Sequence, residues 1–294
     1  MMGQAKAELY GLIGYPVSHS LSPLMQNRAF HALDLSCYYG LFEVLPQFFP
    51  QALAGIKALG IKGVNITIPY KQRVLEHLDF IDPAAAAIGA VNTVINDGER
   101  LTGYNTDGEG AMLSLKKEAS IDPLGLKFII FGSGGACRAV AYTLALKGAK
   151  KIIIAGRRES QSVEISRLLD QVKTGVAATV SLTDINCREE LKTADVVINS
   201  TPIGMWPKVL EPPVIDTRLL STHTLVWDLV YNPVETRFLR EAKAHGCRTL
   251  SGLGMLLYQG AEAFRLWTGL AAPVEAMRQE LKKAISHKNV SESQ

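Results

Sequence analysis

Through its first third the chain alternates short apolar runs with longer amphipathic ones: LYGLIG, SPLMQNRAFHALDL, CYYGLFEV, FFPQALAGIKALG and GVNITI follow one another. The short runs, bounded by turn residues, read as strands, and the longer ones read as helices. The predicted order is strand, helix, strand, helix, strand. Ser22 directly before Pro23 suits an N-cap followed by proline at the first helical position. A helix is expected to start there, with the Ser-rich segment 18–22 as the loop leading into it.

A second block begins near residue 126 with KFIIF, then GSGGACRAVAYTLALKG, KKIIIAG, a polar helix through SRLLDQV, and DVVINST. Strands alternating with helices imply parallel pairing through helical crossovers. TLVWDLVY continues the pattern as a strand, ETRFLREAKAHG as a helix closed by a glycine, and CRTL as a short strand. From Gly252 the pattern turns helical through LGMLLYQGAEAFRLWTG and again through PVEAMRQELKKAISHK. Such a helix pair can fold back onto the first block. The polar end NVSESQ has little apolar surface to pack and is expected to fray.

Length and composition narrow the class. At 294 residues there is room for two domains, each with its own core. A hydrophobic share of 47% with only 20% charged residues describes a globular α/β protein rather than a disordered one. Net charge is only +3 and the basic residues are interspersed with acidic ones, so no nucleic-acid partner is expected and a small-molecule ligand is. No run approaches the ~20 apolar residues of a membrane span. The first residues lack a basic stretch leading into a long apolar one, so no membrane partner is expected and a cytoplasmic location is. Cys37, Cys137, Cys187 and Cys247 are scattered without metal-ligand spacing and read as reduced, mostly buried thiols, with no metal.

Candidate chemistry begins at FIIFGSGGACRAVAYTLA, where Gly132, Gly134 and Gly135 stand between an apolar strand and an amphipathic helix. Glycines there let the backbone turn tightly and approach a pyrophosphate, whose charge meets the free N–H groups of the helix start. Cys137 occupies the third glycine position of the G-x-G-x-x-G pattern. About 20 residues beyond such a turn, an acidic residue selects the ribose diol of NAD, whereas arginine accepts the 2′-phosphate of NADP. Here the second strand runs into Arg157 and Arg158, whose forked guanidiniums suit a phosphate dianion. NADP is the expected cofactor.

Three segments in the first third set polar side chains against predicted strand ends, where open α/β sheets bind ligands: SHSLSP (18–23), NITIPYK (65–71), and AVNT with YNTDG (90–93 and 104–108). Taken with GSGGA and SGLGMLLYQGA, they resemble the shikimate dehydrogenase family in order and approximate spacing, from Gly14 to about Trp267. The resemblance implies an α/β fold of two domains. Residues 1–106 plus 251–294 would form the substrate domain and 107–250 a doubly wound Rossmann domain binding NADP, with the C-terminal helices returning to the first. It implies reversible NADPH-dependent reduction of 3-dehydroshikimate to shikimate, a step of chorismate and aromatic amino-acid biosynthesis, by a monomer or homodimer.

By that resemblance Lys71 and Asp107 are the catalytic pair. Hydride addition to a carbonyl carbon creates an alkoxide, so a proton donor must stand beside the oxygen and take the proton back in the oxidation direction. A lysine ammonium can do both, with Asp107 orienting it and the substrate hydroxyls. Taken singly, Lys71 also reads as a surface lysine, and Asp107 as a helix N-cap, a role open to Thr106. Ser20 and Ser22 resemble the family's carboxylate-binding hydroxyls, Thr67, Asn92 and Gln259 its contacts to the ring hydroxyls, and Tyr15 and Tyr231 further ligand contacts. For Asn92 a structural hydrogen bond reads nearly as well.

On the cofactor side the resemblance assigns Gly132, Ser133, Gly134, Gly135 and Ala136 to the phosphates, and Arg157 and Arg158 to the 2′-phosphate. Asn199, Ser200, Thr201 and Met205 would border the nicotinamide and its ribose, and Gly252 would let the backbone approach the carboxamide. The chain departs from the family at Gly156, where NADP-specific members often carry Asn, and at Ser251, where many carry Asp. Loss of the Asn contact opens the alternative of a quinate/shikimate dehydrogenase with relaxed NAD/NADP use. A ligand-binding regulator without turnover is the rival from another class, and it has no need of the Lys71 and Asp107 pair.

Overall fold

The computed structural model describes residues 7–181 and 186–291, apart from the side chains of 186–188 and 287–291. It divides into two compact units, Met1–Thr106 with Leu257–Gln294, and Asp107–Leu256.

The first unit runs β1 (Glu8–Gly14), α1 (Ser22–Ala32), β2 (Cys37–Glu43), α2 (Phe49–Leu59) and β3 (Gly63–Ile66), which is the predicted order. It then adds β4 (Phe80–Ile81), α3 (Pro83–Ile88), β5 (Thr93–Asn96) and β6 (Leu101–Tyr104). The sheet order is β2-β1-β3-β5-β6-β4, mixed because β5 runs antiparallel to both β3 and β6. The hairpin between β5 and β6 is closed by Asn96-Asp97-Gly98. Asp97 Oδ1 accepts the N–H groups of Glu99 and Arg100 at 2.9 and 2.7 Å, and Gly98 takes φ +100°. That Asp-Gly pair between alternating residues is a local hairpin signal that the pattern reading passed over.

Helix α1 starts one residue earlier than the Ser-Pro pair suggests. Leu21 stands at its N-cap without a capping side chain, and Ser22 is its first residue. The capping function passes to Ser20, whose Oγ accepts the Ser22 N–H at 3.2 Å.

In the second unit, α4 (Asp107–Ser114) continues through a π-helical turn at Leu115–Ala119 into β7 (Lys127–Phe131), α5 (Gly135–Leu146), β8 (Lys151–Ala155), α6 (Glu159–Val172) and β9 (Ala177–Val180). After these come α7 (Asn186–Lys192), β10 (Val196–Asn199), β11 (Leu225–Asp228), α8 (Arg237–Ala244) and β12 (Arg248–Leu250). All six strands are parallel in the order β12-β11-β10-β7-β8-β9. Counted from β7 this is 3-2-1-4-5-6, the doubly wound order with a switch point between its first and fourth strands. The pattern reading passed over β9 and α7. β9 is an edge strand of only four half-buried residues, too short for alternation to register.

Helix α9 (Leu253–Thr268) and helix α10 (Val274–Ser291) follow. The junction between units falls after Leu256 rather than after residue 250. The reason is packing: Met255, in the first turn of α9, shares the second unit's core with Trp227 and Leu250. From Leu257 onward the helices belong to the first unit. Trp267 Nε1 donates to the Val94 carbonyl at 3.0 Å, and Gly63 makes room for its indole, since a Cβ there would stand 2.3 Å from that nitrogen. Tyr10, Phe30, Phe264 and Trp267 form a tilted aromatic cluster that links β1, α1 and α9. α10 continues to Ser291 where fraying was expected from Asn289, because adding a residue to a helix already formed gains a hydrogen bond for one residue fixed. Residues 292–294 lie outside the described residues. No helix among the described residues is long and apolar enough to cross a membrane.

Candidate active site

In the first unit the loops after β1, β3 and β6 and the start of antiparallel β5 all emerge at one sheet edge, the carboxyl edge of the parallel strands. Ser20, Ser22, Thr67, Lys71 and Asn92 stand on these segments. The loop after β1 is fixed by Val17 N–H donating to Glu43 Oε2 at 2.9 Å and Tyr15 N–H donating to the Ile68 carbonyl at 3.0 Å. Ser22 is buried and Ser20 half-buried, while Tyr15 is exposed.

Thr67-Ile68-Pro69-Tyr70 forms a tight turn with a cis Ile68–Pro69 bond and a Tyr70 N–H to Thr67 carbonyl bond of 2.8 Å. Tyr70 anchors it, fully buried, stacked on Phe49 at 4.1 Å, with its hydroxyl donating to the Val44 carbonyl. Lys71 follows. Its carbonyl accepts the Val91 N–H at 2.8 Å, and its side chain remains part exposed. The backbone is held, and the ammonium is carried at the sheet edge.

Gly14 is where β1 meets this turn. A Cβ there would stand 2.3 Å from Thr67 Cγ2 and 2.6 Å from Val17 Cγ1. Gly14→Ala is expected to cost about 1–3 kcal/mol by overpacking. Because Thr67 belongs to one candidate ligand segment and Val17 directly precedes the other, it should also raise the KM for the ligand those segments bind. Urea unfolding together with steady-state kinetics checks both; an unchanged KM in a destabilised variant would separate Thr67 from the site.

Asn92 is 2% exposed and lies in a buried network. Its Nδ2 donates to Thr106 Oγ1 at 2.9 Å and to Gln259 Oε1 at 3.2 Å, and its Oδ1 accepts the Thr106 N–H at 2.8 Å. The network continues inward through Thr93 and Asn65 to the Tyr39 hydroxyl, which donates to Asn65 Oδ1 at 2.8 Å. Gln259, on α9, is thereby joined to the same edge. The structural reading of Asn92 is therefore realised. Asn65, Thr93 and Tyr39 were not singled out, and Thr106 entered only as a helix cap; the visible signal was amides and hydroxyls inside otherwise apolar strand runs.

In the second unit Asp107 opens α4 and is buried. It is the first helical residue rather than its cap. The turn after β7 has Gly132 at φ +115°, with its N–H donating to the Ala155 carbonyl at 2.9 Å. A Cβ on Gly132 would stand 2.5 Å from Ser200 Oγ, so glycine is required there by both conformation and space. Gly134 faces open space and precedes the first residue of α5, Gly135, with Ala136 next. This leaves the helix start accessible to an anion, an arrangement that fits a dinucleotide pyrophosphate. Cys137, in the third glycine position, is wholly buried in the core, and burial pushes its thiol up to about 12, so it is an inert packing group. Cys247 is buried and Cys37 half-buried, both free; the Cys187 side chain lies outside the described residues.

Arg157 and Arg158 are exposed at the end of β8, Arg158 in the N-cap position of α6. Gly156 leaves no room for a side chain: a Cβ would stand 2.6 Å from Ser162 Oγ and 3.2 Å from Ser133 Oγ. Ser133 Oγ donates to Gln161 Oε1 at 3.0 Å, tying the phosphate turn to the first turn of α6. Asn199 ends β10, the loop after it carries Ser200, Thr201 and Met205, and the loop after β11 carries Tyr231. Ser200 Oγ donates to the Phe131 carbonyl at 2.7 Å, so its hydroxyl closes the sheet edge. Gly252 packs its missing side chain against β11's exit, where a Cβ would stand 2.2 Å from the Leu229 carbonyl oxygen.

Asp228, at the end of β11, escaped the sequence reading, although a carboxylate within LVWDLVY was a visible signal. Burial raises its carboxyl from the ordinary 3.8 to about 6, against the opposing hydrogen bonds from Thr236, Val230 and Asn199. The folded value is the higher one. Stability from the neutral form is thus complete below the unfolded value and is lost as pH rises through about 6. The difference corresponds to about 3 kcal/mol. Between pH 4 and 7 the unfolding free energy of Asp228→Asn should therefore gain on that of the native chain by about that amount. Urea titrations of both across the window check it; parallel curves would refute the shift.

A family profile described as the shikimate dehydrogenase substrate binding domain matches residues 12–94, and one described as the shikimate 5′-dehydrogenase C-terminal domain matches residues 252–282. A shikimate dehydrogenase (NADP(+)) of Moorella thermoacetica is 46% identical over 282 residues, covering 96% of this chain and 95% of its own. Among solved structures, a shikimate dehydrogenase in complex with NADP+ is 41% identical with a TM-score of 0.88, covering 96% of this chain and 97% of that one. The shikimate 5-dehydrogenase of Thermus thermophilus, in complex with NADP(H) and shikimate, is 35% identical with a TM-score of 0.83, covering 94% and 99%.

Proposed function

The chain belongs to the shikimate dehydrogenase family, and from that premise we propose its reaction and the residues that carry it. The chain is an oxidoreductase that reversibly reduces 3-dehydroshikimate to shikimate with NADPH, a step of chorismate and aromatic amino-acid biosynthesis. The observation that carries this reading is near-full-length identity of 42–46% to six relatives named shikimate dehydrogenase (NADP(+)). The gathering of the expected polar residues at one edge of each sheet supports it.

The cofactor, when bound, supplies the hydride. Gly132 to Ala136 present the turn and helix start that hold its phosphates, Arg157 and Arg158 hold the 2′-phosphate, and Thr201, Met205 and Gly252 border the nicotinamide. Ser20 and Ser22 donate to the substrate carboxylate. Thr67, Asn92, Tyr231 and Gln259 orient the ring, Asn92 and Gln259 joined to each other by a hydrogen bond of 3.2 Å. The Lys71 ammonium gives a proton to the oxygen that gains negative charge and takes it back in the reverse direction. The Asp107 carboxylate accepts from a substrate hydroxyl and fixes the reacting oxygen. The substrate is a small molecule, and the reading has no nucleic-acid or membrane partner and places the chain in the cytoplasm as a monomer or homodimer. Its three described thiols, all free, suit a reducing compartment.

The experiment follows absorbance of the reduced cofactor with shikimate or quinate, each paired with NADP or NAD. Shikimate with NADP is expected to turn over fastest. A preference for quinate would move the substrate assignment, and no turnover in any pairing would leave a binding protein.

A further inference from the structure

Asp228 ends β11 with no exposed surface, in a run of apolar neighbours. A buried carboxylate is tolerated only where donors meet its oxygens. Three do: Thr236 Oγ1 donates to Oδ2 at 2.6 Å, and Asn199 Nδ2 and the Val230 N–H donate to Oδ1 at 2.9 and 3.0 Å. Each donor belongs to a different segment. Asn199 ends β10, Val230 lies in the loop after β11, and Thr236 caps α8, its Oγ1 accepting the Leu239 N–H at 3.3 Å.

The constraint spreads outward from these donors. Asn199 Oδ1 accepts both the N–H and the hydroxyl of Thr201, at 3.0 and 2.6 Å, and Asn199 Nδ2 also donates to the Ile203 carbonyl at 3.3 Å. Thr201 Oγ1 in turn accepts the Ile203 N–H at 3.2 Å. The Val230 carbonyl accepts the Gly252 N–H at 3.2 Å, and the Asn232 carbonyl accepts the Trp206 N–H at 2.9 Å. Neither loop has helix or strand of its own around these residues. Thr201 and Gly252 are thus each one hydrogen bond from a donor to this carboxylate, and Met205 and Tyr231 stand on the same two loops, which the Trp206 to Asn232 bond joins.

We infer that Asp228 is a positioning residue for the nicotinamide end of the cofactor, holding the loops after β10 and β11 in one conformation while touching neither cofactor nor substrate. The inference rests on the assignment, made above, of those loops to the nicotinamide. A residue that merely stabilised the fold would weaken binding of every part of the cofactor alike. A residue that arranges these loops weakens only the part they contact.

The test titrates the full chain and its variants with NADPH and, separately, with adenosine 2′,5′-bisphosphate, which carries the adenosine end alone. Asp228→Ala is expected to weaken NADPH binding by about tenfold or more and the bisphosphate by less than about twofold. Asp228→Asn keeps an acceptor oxygen for Asn199 and Val230 and is expected to restore NADPH binding to within about threefold of native. Should Asp228→Ala not fold, Thr236→Val and Thr236→Ser carry the same comparison, with serine restoring what valine loses. Native NADPH affinity in Asp228→Ala, equal loss of both probes, or failure of Asn to rescue would overturn the inference. The assignment of the loops fails separately, when Thr201 and Met205 variants bind NADPH as the native chain does.

Discussion

Lys71→Ala is expected to lower kcat for shikimate oxidation by a factor of about 10²–10⁴, the range by which a positioned proton donor accelerates such a step. The Lys71 carbonyl accepts the Val91 N–H and its buried neighbour Tyr70 anchors the turn, so the main chain is held independently of the ammonium. Removing a part-exposed side chain should therefore shift stability by no more than about 0.5 kcal/mol. KM for shikimate should move little, because hydroxyls and amides elsewhere on the edge orient the ring. Lys71→Arg provides the sharper test. A guanidinium keeps the positive charge but does not release its proton at working pH, so it should remain nearly as slow as alanine. Activity in Lys71→Arg close to native would mean that the residue contributes charge alone, and the proton relay would have to be abandoned.

Legibility in the sequence followed the distance over which each feature is encoded. β1 to β3 and the parallel strands β7, β8, β10 and β11 are runs of apolar residues bounded by turns, and pattern alone finds them. β9 has four half-buried residues at a sheet edge, and its existence depends on pairing with β8, which no local pattern carries. The β5–β6 hairpin was encoded locally, in Asn96-Asp97-Gly98, yet lay in a stretch whose polar residues drew attention as ligand contacts. The glycines divide in the same way. Gly132 was legible from its place between strand and helix, whereas Gly14 and Gly252 owe their identity to atoms far away in sequence, Thr67 and Leu229. Asn92 illustrates the limit of motif reasoning. The motif marks it as important, and only the coordinates reveal that its amide braces Thr106 and Gln259.

Replacing both Arg157 and Arg158 by alanine is expected to raise KM for NADP by about 10–100-fold while leaving KM for NAD nearly unchanged. Hydrogen bonds to charged groups contribute about 1.5–3 kcal/mol each, and two such contacts exceed the expected loss before screening at an exposed site reduces them. The remainder of the cofactor site does not depend on these side chains. The phosphate turn is shaped by Gly132 and by the Ser133 to Gln161 bond, and Gly156 presents only backbone toward Ser133 and Ser162. NAD, which lacks the 2′-phosphate, should then bind variant and native chain alike. Ionic strength supplies a second measure, since KM for NADP in the native chain should climb with salt and in the double variant should stay flat. Parallel increases for both cofactors would mean that the arginines shape the α6 entrance instead of reading the phosphate. An unchanged KM for NADP would transfer discrimination to the turn itself, where Ser133 donates to Gln161.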